Sequence, residues 1–365
     1  MNTVNAHQPV EEAIAAFGRG ELVIVTDDND REDEGDLFVA ASYCTPEKMA
    51  FIIRHTSGIV CAPLSVERAK ELHLDPMVAL NDAPLGTAFT VSIDVRHGLT
   101  TGISAEERAN TVRALANHNS APADFVRPGH VFPLVAREGG VLMRSGHTEA
   151  CVDLCRLAGL PAVGALAELM NDDGSVMRGP EVAAFGERHK LKRVSIAELI
   201  AYRQVRDKLV ERISEFTVHT EIGPLRGYAY VTPFDEVHHI ALVYGRIGDG
   251  RTVLTRIHRA NVLRDIFGGA TMVHAALQRF KEDGRGVLVV LRDGTVGVPV
   301  AELPQNGEQT SAALRSHQWR EIGLGAQILK DLGISSIRIL TSEEHRYVGL
   351  AGFGIEIIGS ELIKP

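Results

Sequence analysis

The sequence predicts α/β construction in two domains. Strand-like and helix-like runs alternate along the chain, and capping signals open several of the helical runs. A polar stretch past the middle separates a half that holds every cysteine from a half that holds none. At 365 residues the chain is also long for one domain.

The elements follow in order. "PVEEAIAAFGRG" reads as a helix closed by glycine, and it feeds a β-branched strand, "ELVIVTD". "TPEKMAFIIRHTSG" places Thr45 at an N-cap and Pro46 at the first helical position. "SAEERANTVRALA" opens with Ser104 and Glu107 at capping-box spacing, and "SIAELIAY" repeats this with Ser195 and Glu198. "YRQVRDKLVERISE", residues 202–215, reads as a polar helical boundary. Beyond it come the strand-like runs "HHIALVYGRI" and "GRGVLVVLRDG" and the helix "GLGAQILKDLG". "LPQNGEQTSAALRSHQ" reads as a loop. The expected boundaries are 1–205 and 206–365.

Composition narrows the function. A net charge of −9 argues against a general nucleic-acid binder, and no apolar run reaches the roughly 20 residues that span a bilayer. The first residues lack the basic start and apolar core of a secretory signal, and four cysteines give no disulfide framework. A cytoplasmic location is expected.

The sharpest local feature is "TDDNDREDEGDLFVAA". Seven acids fall in the ten positions from Asp27 to Asp36, with Arg31 the only cation, in a loop between two expected strands. A solvated charge run is the ordinary reading, but carboxylates crowded against apolar strands are costly unless neutralised. An EF-hand fails on spacing: alternate ligands Asp28, Asp30 and Glu32 put Asp33 where that loop requires glycine. A few carboxylates holding Mg²⁺ together with substrate oxygens fit better, with Arg31 able to grip a phosphate or order a carboxylate.

Further constellations lie downstream. "RSGHTEA", Arg144 to Ala150, sets glycine beside Arg, Ser, His and Thr at a helix start, which suits a phosphate cradle. His147 could ligate a metal or carry a proton. Cys151 and Cys155, four apart, read as small buried hydrophobes, since no further Cys or His pair completes a zinc site. "RPGHVFPL" offers His130, and "AELMNDDG" offers Glu168 at a strand end. Together they describe an enzyme acting on a small phosphorylated substrate.

At "DREDEGD", "GIVCAPL", "LTTGIS", "RPGHVFPL", "RSGHTEA" and "AELMNDDG" the chain resembles 3,4-dihydroxy-2-butanone-4-phosphate synthases of riboflavin biosynthesis, over roughly residues 9 to 204. The resemblance implies a three-layer, mixed-sheet synthase domain acting as a homodimer. It implies conversion of D-ribulose 5-phosphate to L-3,4-dihydroxy-2-butanone 4-phosphate and formate with Mg²⁺ or Mn²⁺. By matching position, Glu32 and His147 correspond to the metal ligands, and His130 and Glu168 to positions essential for catalysis. Arg31, Glu32, Asp36, Glu168 and the segment Arg144, Ser145, Gly146, His147 and Thr148 correspond to substrate contacts, with Thr101 a weaker candidate.

From about residue 206 the chain resembles GTP cyclohydrolase II and implies a second α/β domain, in the order "IGPLRGY", "RIHRANVLRDIFG", "HAALQRFKEDGRGVLVVLRDG", "IGLGAQILKDLGI", "LAGFGIEII". Asn261 stands at one zinc-cysteine position, the segment with the other two cysteines is missing, and "DGTVGV" replaces the catalytic-arginine segment. The expectations are no zinc and no GTP hydrolysis, with a regulatory or bifunctional role as the alternatives.

Overall fold

The computed structural model describes residues 7–27, 34–83, 85–233, 235–261, 263–292, 323–342 and 355–363. Contacts divide these into two compact units, one ending at Tyr202 and the other beginning at Arg203. Each unit is built on one seven-stranded mixed sheet. The α/β expectation is met.

In the first unit the strands are β1 (Val23–Thr26), β2 (Gly35–Ala40), β3 (Cys61–Leu64), β4 (Ile93–Val95), β5 (Phe125–Val135), β6 (Gly164–Glu168) and β7 (Lys192–Ser195). Their order across the sheet is β4-β5-β3-β6-β2-β1-β7. The helices are α1 (Gln8–Gly18), α2 (Pro46–His55), α3 (Val66–Glu71), α4 (Ala105–Ala116), α5 (His147–Leu157), α6 (Gly179–His189) and α7 (Ile196–Arg206).

Strand alternation sorts the helices into two layers. Ile24, Leu37 and Val39 join Met49 and Ile52 of α2, Val112 and Leu115 of α4 and Val182 of α6 in one core. Val23, Val25, Phe38 and Ala40 face the other way, onto Val10 and Phe17 of α1, Leu154 of α5 and Leu199 of α7. A helical layer therefore covers each face, which explains why these strands read as continuous apolar runs. Each large side chain fully buried here stabilises the unit by roughly 1.5–3 kcal/mol.

The capping signals hold. Thr45 Oγ1 accepts from the Lys48 N–H, and Ser104 and Glu107 form the reciprocal capping box. Ser195 and Glu198 exchange bonds in the same way. Cys151 and Cys155 are fully buried free thiols.

Two expectations need correction. Asp36, read as part of a loop, is the second residue of β2 and is buried. The helix over 202–215 is also wrong: α7 ends at Arg206, and Glu211–Thr220 form strand β8. "ERISEFTVHT" carries β-branched and aromatic residues that pair along β9, so strand pairing overrides the local polar pattern.

The second unit continues with β9 (Gly223–Thr232), β10 (Asp235–Tyr244), β11 (Val253–Arg259), α8 (Thr271–Asp283), β12 (Gly286–Leu291), a helix α9 over residues 323–331, β13 (Ser336–Thr341) and β14 (Glu356–Leu362). The sheet order is β14-β13-β11-β12-β10-β9-β8. Strands β8, β9, β10 and β12 pair antiparallel, whereas β12, β11, β13 and β14 pair parallel. Its core packs Leu254, Leu288 and Leu340 under Ala276, Leu277 and Phe280 of α8. The expected loop over 303–318 lies outside the described residues.

Candidate functional site

The antiparallel pair β1–β2 brings the two ends of the acidic segment together, with Thr26 opposite Gly35. The Glu34 N–H donates to Asp27 Oδ1 at 3.0 Å. Because strand side chains alternate, Glu34 and Asp36 point to the same face. Helix α5 packs on that face, and its first residue is His147. One ligand atom each from Glu34, Asp36 and His147 lie within 4.8 Å of one another. Two carboxylates and an imidazole this close form a mainly oxygen donor set suited to a divalent cation, which would offset the carboxylate repulsion. Phe38 meets the His147 ring edge-on at 6.1 Å. Arg31 and Glu32 lie outside the described residues.

Glu168 ends β6 directly opposite Asp36. Ser57 holds it twice: the Ser57 hydroxyl donates to Glu168 Oε2 at 2.6 Å, and the Ser57 N–H donates to the Glu168 carbonyl at 2.9 Å. Two rows further along the sheet, Phe132, Cys61, Leu166 and Phe38 line up across β5, β3, β6 and β2. Burial pushes the Cys61 thiol up, and the charges of Glu168 and Asp36 push it the same way. Cys61 is thus a neutral thiol in the wall of the site rather than a thiolate nucleophile.

His130 sits on β5 two residues before Phe132, at that same end of the strands. The β4–β5 ladder steps from Ile93↔Val131 to Asp94↔Val126, so Arg127, Pro128, Gly129 and His130 stand outside the pairing. Bulges of this kind re-aim side chains, and Pro128 has no N–H to lose from the ladder. Gly129 is required by close approach, since a Cβ there would collide with the Ile93 backbone. The segment 98–103 packs beside it. The Thr101 hydroxyl is turned to Glu107 Oε2 at 3.4 Å, and Thr100 donates to the same carboxylate.

The 144–148 segment is folded over a buried acid. Arg144 donates through Nη1 to Glu149 at 2.6 Å and through Nη2 to the Leu85 carbonyl and the Thr87 hydroxyl. The guanidinium crosses Gly146 so closely that a Cβ there would collide with it. Ser145 is half-buried and Thr148 is buried at the first turn of α5, whose leading amides favour an anion.

Of the sequence-derived residues, the structure brings Asp36, His147 and Glu168 together and sets His130 at the same sheet end. It adds Glu34, Ser57, Asp94 and Glu149. Glu34 had a readable signal, its two-residue spacing from Asp36 on a strand. Ser57 and Asp94 had none, because their partners are 111 and 36 residues distant in sequence.

In the second unit His258 and His274 are each tied to one carboxylate. His258 bonds Asp265 at 3.0 Å, and the Asn261 N–H reaches the same carboxylate. His274 bonds Glu221. Among the described residues, the only cluster of three or more metal-capable groups is Glu34, Asp36 and His147.

Comparison with known proteins matches the two halves of the chain to two families. The family model for 3,4-dihydroxy-2-butanone 4-phosphate synthase matches residues 11–202, and that for GTP cyclohydrolase II matches residues 211–361. The bifunctional riboflavin biosynthesis protein RIBA 1 of Arabidopsis thaliana is 47% identical over 369 residues, covering 96% of this chain and 68% of that protein. RibBX, a two-domain 3,4-dihydroxy-2-butanone 4-phosphate synthase from A. baumannii, superposes with a TM-score of 0.80 at 38% identity, covering 98% of this chain and 99% of that one. A 3,4-dihydroxy-2-butanone 4-phosphate synthase solved with two magnesium ions matches at 47% identity and a TM-score of 0.53, covering 53% of this chain and 96% of that one.

Proposed function

We infer how this chain works from one premise: it belongs to the 3,4-dihydroxy-2-butanone 4-phosphate synthase family and serves riboflavin biosynthesis. The substrate is D-ribulose 5-phosphate, and the products are L-3,4-dihydroxy-2-butanone 4-phosphate and formate. The observation that carries this reading is the convergence of Glu34, Asp36 and His147 beside Glu168.

These residues suit Mg²⁺ or Mn²⁺, and Glu32 joins them by its match to the family motif. A bound ion supplies stabilisation of the negative charge that develops on neighbouring substrate oxygens. The remaining work belongs to the chain. Glu168, held by Ser57, and His130 move protons as the sugar is enolised, dehydrated and rearranged before losing one carbon. Arg31, Asp36, Thr101 and the segment Arg144 to Thr148 hold the substrate, with its phosphate at the start of α5. Glu149 anchors Arg144 and thereby shapes that cradle.

The synthase corresponds to residues 1–205, and we assign residues 206–365 to a cyclohydrolase-like domain that does not open GTP. Those residues contain no cysteine, which removes the three-thiolate zinc site. His258 and His274, the nearest substitutes, each carry a carboxylate partner instead. The family resemblance further supports a homodimer, which sedimentation of the purified protein tests. No helix among the described residues is long and apolar enough to cross a membrane.

The test is formate release from ribulose 5-phosphate by the purified protein. EDTA should abolish it, and Mg²⁺ or Mn²⁺ should restore it. Full activity in EDTA after exhaustive dialysis would contradict the metal reading.

A further inference from the structure

The catalytic reading of His130 leaves open which ring nitrogen works, and the surroundings of the ring answer that. Asp94, on β4, is almost wholly buried, and its carboxylate contacts His130 twice. Oδ1 accepts the His130 backbone N–H at 2.9 Å, and Oδ2 lies 2.7 Å from His130 Nδ1. A carboxylate only accepts hydrogen bonds, so the short contact requires a hydrogen on Nδ1. In the neutral ring the lone pair is then on Nε2. The side chain of His130 is 40% exposed while that of Asp94 is 4% exposed, so one end of the pair is anchored and the other is open.

Two more features belong to this arrangement. Gly102 has φ of +83°, and a Cβ there would collide with Asp94 Oδ2 and stand 2.7 Å from His130 Nδ1, so only glycine lets the 98–103 segment close over the pair. The buried Arg108 donates to the Gly58 carbonyl. Burial lowers the pKa of Arg108, while the negative charge of Asp94 acts in the opposite direction. The cation thus lies in the field of the same carboxylate.

We propose that Asp94 is a positioning residue that fixes His130 as the Nδ1–H tautomer and makes Nε2 the nitrogen that exchanges protons with the substrate. This rests on the reading of His130 as catalytic. When Nε2 takes a substrate proton, the electron pair of the broken bond stays on the substrate and the ring becomes an imidazolium with hydrogens on both nitrogens. Asp94 offsets the new positive charge through the bond it already holds, and Nε2 returns the proton at a later step. A ring without Asp94 would divide between tautomers and orientations, and only part of the population would present a basic nitrogen.

The experiment uses the full-length protein labelled with ¹⁵N-histidine, at a pH where the ring is neutral. Wild-type His130 should show a protonated Nδ1 and an unprotonated Nε2. Asp94→Asn should shift the ring away from that form and lower kcat by roughly 10²-fold or more, within the range of general acid–base contributions, with KM nearly unchanged. Gly102→Ala should act in the same direction. An Nε2–H tautomer in the wild type would overturn the proposal, and that measurement stands even if the Asp94 variant fails to fold. So would an Asp94→Asn protein with wild-type kcat and an unchanged tautomer. His130→Ala tests the underlying reading separately: full activity there would remove His130 from catalysis whatever the tautomer proves to be.

Discussion

The two units solve the same structural problem and differ in what their polar residues do. Each wraps apolar strands and helices around a seven-stranded mixed sheet. In the first, acids and histidines converge: Glu34, Asp36 and His147 share one small space, with Glu168 opposite Asp36. In the second, His258, His274 and His239 are each held by one partner and form no such group among the described residues. A fold survives on buried apolar area and ladder hydrogen bonds, whereas metal chemistry needs several ligands at one point. A domain can therefore keep such an architecture without depending on a cluster of this kind.

The comparison breaks most completely at the convergent cluster. His147→Asn or Asp36→Asn should reduce formate production to background while circular dichroism stays that of the wild type, because each removes a ligand and little packing. Substantial turnover in either variant would mean that the cluster is not the metal site. The next effect is at Glu168. Glu168→Gln keeps the shape and the Ser57 contact but loses the titrating group, so kcat should fall roughly 10²–10⁴-fold with KM little changed. A change in KM alone would make Glu168 a binding residue.

A smaller effect should separate the units by pH. His239 is buried, and its Nδ1 accepts the Arg292 N–H. Burial, with Arg292 and His238 adding to it, lowers its pKa from 6.5 to about 4. The unfolded chain therefore binds a proton that the folded one refuses, and the second unit should lose stability as pH falls from 6.5 towards 4. The full loss corresponds to about 3 kcal/mol. Hydrogen exchange in β9, β10 and β12 should accelerate over that window, and His239→Gln should flatten the dependence. Protection unchanged down to pH 4 in the wild type would contradict this.

These outcomes bear on how far the sequence could be read. Local signals were sound where the physics is local: Thr45, Ser104 and Ser195 cap the helices they were expected to cap. The stretch over 202–215 failed because strand pairing between β8 and β9, set by residues such as Tyr228 and Tyr230, decides its structure. The metal cluster was half legible. His147 could be picked as a ligand from its motif and Asp36 only as a substrate contact. Glu32, the other expected ligand, lies outside the described residues, and the placement of Glu34 depends on where β2 begins. Ser57 and Asp94 were invisible, since each matters only through a residue that the fold brings to it.

The central claim is that chemistry resides in the first unit alone. The most direct test is formate release by the purified full-length protein in two parallel reactions with Mg²⁺, one given ribulose 5-phosphate and one given GTP. The account predicts formate from the sugar phosphate, abolished by His147→Asn, and none from GTP above background. Formate from GTP, or its absence with ribulose 5-phosphate, would contradict it.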